Sequence, residues 1–211
     1  MIRRTTTVAG ILAILAAGVT ACSGHPATGT PPPASAPITT TNASLPFAGA
    51  PKVPNPLPDS VLGGNPCADA LTADQVKDAL GTPTESKSDQ TAGVGRSCSW
   101  YNHSTLGQIS VGYNTETHTG LSGLFQNTKP AAALWKVLPP IQGFPAVAHS
   151  ITKGADTSTT FCQVTVGLAD DIAVDVSGFL GPAKQGKVDP CDVTAQAAGL
   201  VVTALSQKAG A

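Results

Sequence analysis

Cysteine carries the clearest chemistry in this chain of 211 residues. Arg3 and Arg4 precede an apolar run from Val8 to Val19, which ends in Val19-Thr20-Ala21-Cys22. An aliphatic residue, two small residues and a cysteine resemble a bacterial lipobox. Small side chains let the backbone enter a peptidase cleft, and a thiolate is the nucleophile that diacylglyceryl transfer needs. The run spans roughly 18 Å at ~1.5 Å per residue, short of the ~30 Å hydrocarbon core. Residues 1–21 therefore read as a lipoprotein signal peptide that is removed, leaving Cys22 as a lipidated first residue. Acyl chains contribute about 0.8 kcal/mol per buried CH₂, so two or three hold a soluble domain on a membrane.

Cys67, Cys98, Cys162 and Cys191 are separated by 31, 64 and 29 residues, with no Cys-x-x-Cys and no histidine at metal-ligand spacing. An even count on an exported domain implies disulfides, with a structural zinc site as the competitor. Three connectivities are open. Cys67–Cys98 with Cys162–Cys191 is favoured because each bridge closes a loop of about 30 residues, contributing about 3–4 kcal/mol on the chain-entropy model. The nested pairing, Cys67–Cys191 with Cys98–Cys162, remains the alternative.

Other catalytic patterns are missing. Gly120-Leu121-Ser122-Gly123-Leu124 lacks the last glycine of an esterase elbow, no His-Glu-x-x-His occurs, and Glu85 and Glu116 are the only glutamates. Gly93-Val94-Gly95 follows no predicted strand and reads as a loop, not a dinucleotide site. His103, His118 and His149 read as loop or strand-surface residues, and Asp170-Asp171 as turn chemistry. Among the aromatics, Trp100, Tyr101, Tyr113, Phe125 and Trp135 are where a ligand would be sought. No cofactor, metal or nucleic-acid partner is expected. Only 12% of residues are charged and three are Arg, which leaves nothing for clustered phosphate contacts.

The elements that must position these residues begin after a spacer. Residues 22–64 include ten prolines and two charges, Lys52 and Asp59, and their apolar residues show neither period 2 nor period 3.6. They read as a disordered Pro/Thr-rich tether. Residues 65–211 then form one domain. Loss of the signal leaves ten basic against thirteen acidic side chains, a mildly acidic −3.

Thr72-Ala73-Asp74-Gln75 is a capping box, predicting a helix over 73–80 that stops at Gly81. Strands are predicted at 98–101, 108–114, 145–151, 161–168 and 172–178, with weaker helical character at 120–126 and 130–135. Asp189 caps a final helix with Pro190 at its first position. The expected fold is α+β: a mainly antiparallel sheet of about five strands, with helices packed on one face and two disulfides.

Asn65-Pro66-Cys67 before Leu71-Thr72, Cys98-Ser99-Trp100, Phe161-Cys162-Gln163-Val164-Thr165-Val166-Gly167 and Asp189-Pro190-Cys191-Asp192 together resemble an actinobacterial lipoprotein family that includes mycobacterial Lpr-type proteins. The resemblance covers the signal and residues 65–208. That family is classed only as a domain of unknown function. It implies an envelope lipoprotein with paired cysteines, and no catalytic residues.

The leading expectation is therefore a non-enzymatic binding module, lipid-anchored at the extracytoplasmic face of the cell membrane, with an envelope protein or polymer as partner. The alternative is a carrier of lipid or another apolar ligand, in a cleft lined by Leu121, Leu124, Phe125, Leu134 and Trp135. An enzyme with a novel site is the third reading.

Overall fold

The computed structural model describes residues 44–151 and 159–210. The expected signal peptide, Cys22 and the first half of the expected tether lie outside the described residues.

Seven strands make a single antiparallel sheet: β1 (Glu85–Thr91), β2 (Gly95–Asn102), β3 (Gly107–Asn114), β4 (Leu134–Ile141), β5 (Phe144–Ser150), β6 (Phe161–Gly167) and β7 (Ala173–Phe179). Their spatial order is β1-β2-β3-β7-β6-β5-β4. Every neighbouring pair is antiparallel. Among the described residues four α-helices accompany it: α1 (Pro66–Asp69), α2 (Ala73–Leu80), α3 (Gly120–Gly123) and α4 (Pro190–Ala209). The α+β class is as expected, but the sheet has seven strands rather than five, and the two added strands are its edges.

Both edges break the rules that reveal a strand. β1 is exposed at every position, so no apolar alternation marks it. β4 carries Pro139 and Pro140, which an edge strand tolerates because its outward N–H groups need no partner. The pairing slips between Leu138 and Ile141, where those prolines sit. Residues 130–135, expected to be helical, are a 3-10 turn (Lys129–Ala131) followed by the start of β4.

One face of the sheet carries the main core. Cys98, Val111, Tyr113, Val164, Val166, Val174 and Val176 project from it against α4 residues such as Ala198, Val201 and Leu205. The local chemistry of the helices is as read from the sequence. Thr72 and Gln75 form the reciprocal capping box of α2, and Asp189 accepts from Cys191 N at 2.7 Å with Pro190 at the first position of α4. The bridges are Cys67–Cys98 and Cys162–Cys191, each with a Cα–Cα distance of 5.0 Å. One joins α1 to β2 and the other joins β6 to the first turn of α4.

Two expectations are corrected. Helices do not pack on one face only: α3 and the π-helical turn that continues it (Leu124–Thr128) lie on the second face. There Leu121 and Phe125 cluster with Val147, whose side chain alternates away from the main core. The tether does not run to residue 64 either. Val53, Leu57, Val61 and Leu62 are core residues, and Leu57 N bonds Leu168 O at 2.8 Å. The prolines keep most of this segment out of regular structure, and it straps across the β6–β7 turn before a 3-10 turn (Asp59–Leu62) that carries Val61 and Leu62 into the core. Phe47 N donates to Ser122 Oγ on α3, and Val53 N donates to Asp170 Oδ1 in that turn.

Candidate functional site

Strand alternation places a second set of side chains opposite the core, and the register aligns them in rows across the sheet. The first row is Tyr101, Gln108, Phe179 and Phe161 on β2, β3, β7 and β6. The second is Ser99, Ser110, Ser177, Gln163, His149 and Trp135, running from β2 to β4. The third is Ser97, Gly112, Asp175, Thr165, Val147 and Val137. Aromatic rings thus sit beside hydroxyl and amide side chains. The register extends each row onto β1, with Glu85 beside Tyr101, Lys87 beside Ser99 and Asp89 beside Ser97; on the strands inside that edge Asp175 is the only acidic side chain, and none carries Lys or Arg.

The polar members are tied to one another. Ser99 and Ser110 hydroxyls lie 2.8 Å apart, and Gln108 Nε2 donates to Ser110 Oγ at 3.0 Å. Phe161 and Phe179 rings are 4.5 Å apart, and Phe179 is 45% exposed. Trp135 meets Phe125 edge-on at 5.0 Å, while the Lys129 ammonium lies 5.0 Å and 5.6 Å from the two rings. The Lys129 charge is thereby held at the α3 end of the face.

A buried relay crosses four strands beneath α3. His149 Nε2 lies 2.9 Å from Thr165 Oγ1, Thr165 Oγ1 donates to Asp175 Oδ1, and Asn114 Nδ2 donates to Asp175 Oδ2 at 2.7 Å. The threonine proton is committed to the carboxylate, so Thr165 accepts from His149, whose proton sits on Nε2. Burial holds the His149 pKa below the ordinary histidine value, and the Asp175 charge opposes that shift. His149 is thus a neutral imidazole with its Nδ1 lone pair uncommitted by the relay. Asn114 Oδ1 is buried with no hydrogen-bond partner. A buried acceptor in that condition costs about 1–3 kcal/mol.

The relay borders a cavity of about 520 Å³ lined by Asn114, Leu124, Phe161, Gln163, Thr165 and Asp175, among others. That volume lies within the range of small-ligand sites. A mostly apolar cavity of about 110 Å³ lies on the core face between α2, α4 and β7. It is smaller than the ~150 Å³ void that takes up one benzene in another protein.

Of the five residues expected to line an apolar cleft, only Leu124 reaches the larger cavity. Leu121 and Phe125 are 3% and 8% exposed and pack against Val147, with Trp135 alongside. Leu134 stands on β4 and packs against the main core, on the opposite face. The cleft expected from those residues is filled by the residues themselves. Trp100 and Tyr113 are also buried in the core, where desolvation and the nearby Asp69 push the Tyr113 phenol up. Asp170 and Asp171 form no carboxylate pair: Asp170 holds the strap, and the Asp171 carbonyl accepts from Gly120 N. His103 pairs with Glu85 on the surface. No group of three or more His, Cys, Asp or Glu side chains that could hold a metal occurs among the described residues.

Sequence reasoning missed the relay. Its signal was the polar half of the alternation, Gln163, Thr165, Asp175 and Ser177, in strands whose other half is valine. A second signal was His149 two residues from Val147 on the same face.

Fold and site define a two-disulfide α+β protein that buries one face of its sheet under helices and carries a polar and aromatic second face, with charges at its β1 edge and beside α3. The chain belongs to the family described as protein of unknown function (DUF3558), whose model matches residues 17–204. No curated protein and no solved structure matches it significantly.

Proposed function

We propose that this is an actinobacterial envelope lipoprotein of the Lpr type. It is anchored through a lipid on Cys22 at the extracytoplasmic face of the cell membrane, where it acts as a non-enzymatic binding module. The observation that carries the reading is the second face of the sheet. Small-domain sheets bury apolar side chains where they can, yet this face keeps three rows of Ser, Gln, Thr and aromatic residues over four central strands. The relay and the cavity beside it give that face a place where a ligand is fixed in register. Acyl-transfer chemistry would need a nucleophile whose proton His149 takes, whereas the one hydroxyl beside it, Thr165 Oγ1, gives its proton to Asp175 and accepts from His149. The carrier reading has less behind it: its five residues do not line one cleft, and the apolar cavity is small.

Two measurements test the proposal. Cys22→Ala moves the protein out of the membrane fraction in cells; unchanged partitioning overturns the anchor. A photo-reactive side chain at Ser99, on the second face, captures a partner in intact cells, whereas the same group at Lys77, exposed on α2, does not. Equal capture at the two positions removes the second face as the binding surface.

A further inference from the structure

We propose, resting on that reading, that the second face binds an uncharged glycan, with the sugar rings on the aromatic row and hydroxyl groups reaching the Asn114 and Asp175 acceptors. Three features select this chemistry. The first is charge. No Lys or Arg lines the 520 Å³ cavity or stands in the rows on β2, β3, β7 and β6, the lysines of this face lying at its margins on β1 (Lys87) and beside α3 (Lys129), so phosphate, sulfate or carboxylate groups would be desolvated at the cavity without a counter-charge. Asp175, the only carboxyl side chain in the cavity wall, already has both oxygens engaged by neutral donors.

The second feature is the pairing of ring faces with bifunctional polar groups. A pyranose presents C–H faces that pack on aromatic rings and an equatorial rim of hydroxyls that both donate and accept. Tyr101, Phe179 and Phe161 supply the rings in one row, and Ser99, Ser110, Ser177 and Gln163 supply matching hydroxyl and amide groups in the adjacent row. A peptide strand would instead seek unpaired backbone at β1 or β4, because main-chain bonds at a sheet edge carry that kind of recognition.

The third feature is the unsatisfied acceptor. Asn114 Oδ1 is buried beside the cavity and has no donor, while its amide nitrogen is fixed by Asp175 and cannot be swapped for it without losing that bond. A ligand hydroxyl placed there removes a standing penalty, which makes this the position at which the glycan is held most specifically.

The test uses the full protein in detergent and a panel of neutral linear hexose and pentose oligosaccharides: α- and β-glucans, a mannan and an arabinan, each of about six units. Heparin serves as the anionic comparison. Saturation-transfer NMR detects contact and calorimetry measures affinity. The expected result is binding of at least one neutral oligosaccharide and none of heparin, with Phe179→Ala and Asn114→Leu each weakening it tenfold or more and Lys77→Ala leaving it unchanged. Phe179 is exposed enough for its alanine variant to fold whatever happens at Asn114. No binding across the panel, or binding that Phe179→Ala leaves intact, overturns the glycan assignment. Capture of a protein at Ser99 in cells, together with no glycan binding, sinks this proposal and leaves the interaction module standing; no glycan binding together with no capture sinks both.

Discussion

His149 Nε2 stands 2.9 Å from Thr165 Oγ1, and that threonine hands its own proton to Asp175, so the imidazole is locked in one neutral tautomer inside the fold. Protonation would place a second proton on a buried ring. Burial lowers the folded-state pKa of His149 below the unfolded value near ~6.5, with Asp175 opposing, and the unfolded chain binds the proton first as pH falls. The stability associated with neutral His149 is full above about pH 6.5 and is lost between that value and the lower folded-state pKa. Urea midpoints taken at about pH 7.5 and about pH 5 therefore fall further in the wild type than in His149→Gln. An equal fall in both would mean that His149 does not carry this dependence.

The two disulfides constrain different joints. Cys162–Cys191 ties the first turn of α4 to a central strand, and Cys67–Cys98 ties α1 to β2. With sequence separations of 29 and 31, each removes a similar loop entropy from the unfolded chain. Replacing either pair by alanine costs about 3–4 kcal/mol on that model, read as a shift of the urea midpoint in oxidising buffer. Because Cys162 is fully buried against the α4 packing, loss of that pair also speeds hydrogen exchange in the first turns of α4. Unaltered exchange there would show that the helix is held without the bridge.

What could be read from the chain follows from how each signal arises. The α2 capping box, the Asp189-Pro190 start of α4 and the Val/polar alternation of β6 and β7 are local, and each survives in the fold as read. β1 was illegible because Glu85–Thr91 buries nothing, and its pairing to β2 is backbone alone. β4 was illegible because Pro139-Pro140 argues against a strand unless its place at the edge is known. The strap at 44–64 looked like tether because Pro51, Pro54, Pro56 and Pro58 bar a regular helix or strand there, so the four-residue spacing of Val53, Leu57 and Val61 marks no element. The binding face needed tertiary knowledge of another kind: only the strand order, with β7 inserted beside β3, brings Asn114 to Asp175 across 61 residues of chain.

Gly120 opens α3 at φ +49°, in the left-handed region, and a Cβ there would stand 2.5 Å from the Asp170 carbonyl oxygen. Both the conformation and the contact require glycine. Gly120→Ala pushes α3 away from the β6–β7 turn at a cost of about 1–3 kcal/mol, measured by urea denaturation. The same displacement loosens Leu121 and Phe125 over Val147, so amide exchange at 121–125 rises while exchange in α4 does not. A wild-type midpoint for this variant would show that the turn yields readily to the added methyl group.

The strap gives a direct measure of where the domain begins. Val53, Leu57, Val61 and Leu62 are each at most 6% exposed and join the core that α4 covers. Burying an aliphatic side chain contributes ~1.5–3 kcal/mol, so four contribute about 6–12 kcal/mol before the cost of ordering the segment. That gross figure matches the whole stability of an ordinary domain, about 5–15 kcal/mol. A chain starting at Ser44 should therefore unfold in a single cooperative urea transition, and a chain starting at Asn65 should lose that transition or show it at a much lower midpoint. Removing the strap also frees Ser122 and Asp170 from Phe47 and Val53, so the shorter chain loses the clamp that seats α3 on the second face. Equal midpoints for the two chains would return residues 44–64 to the role of spacer and leave α3 held by Leu121 and Phe125 alone.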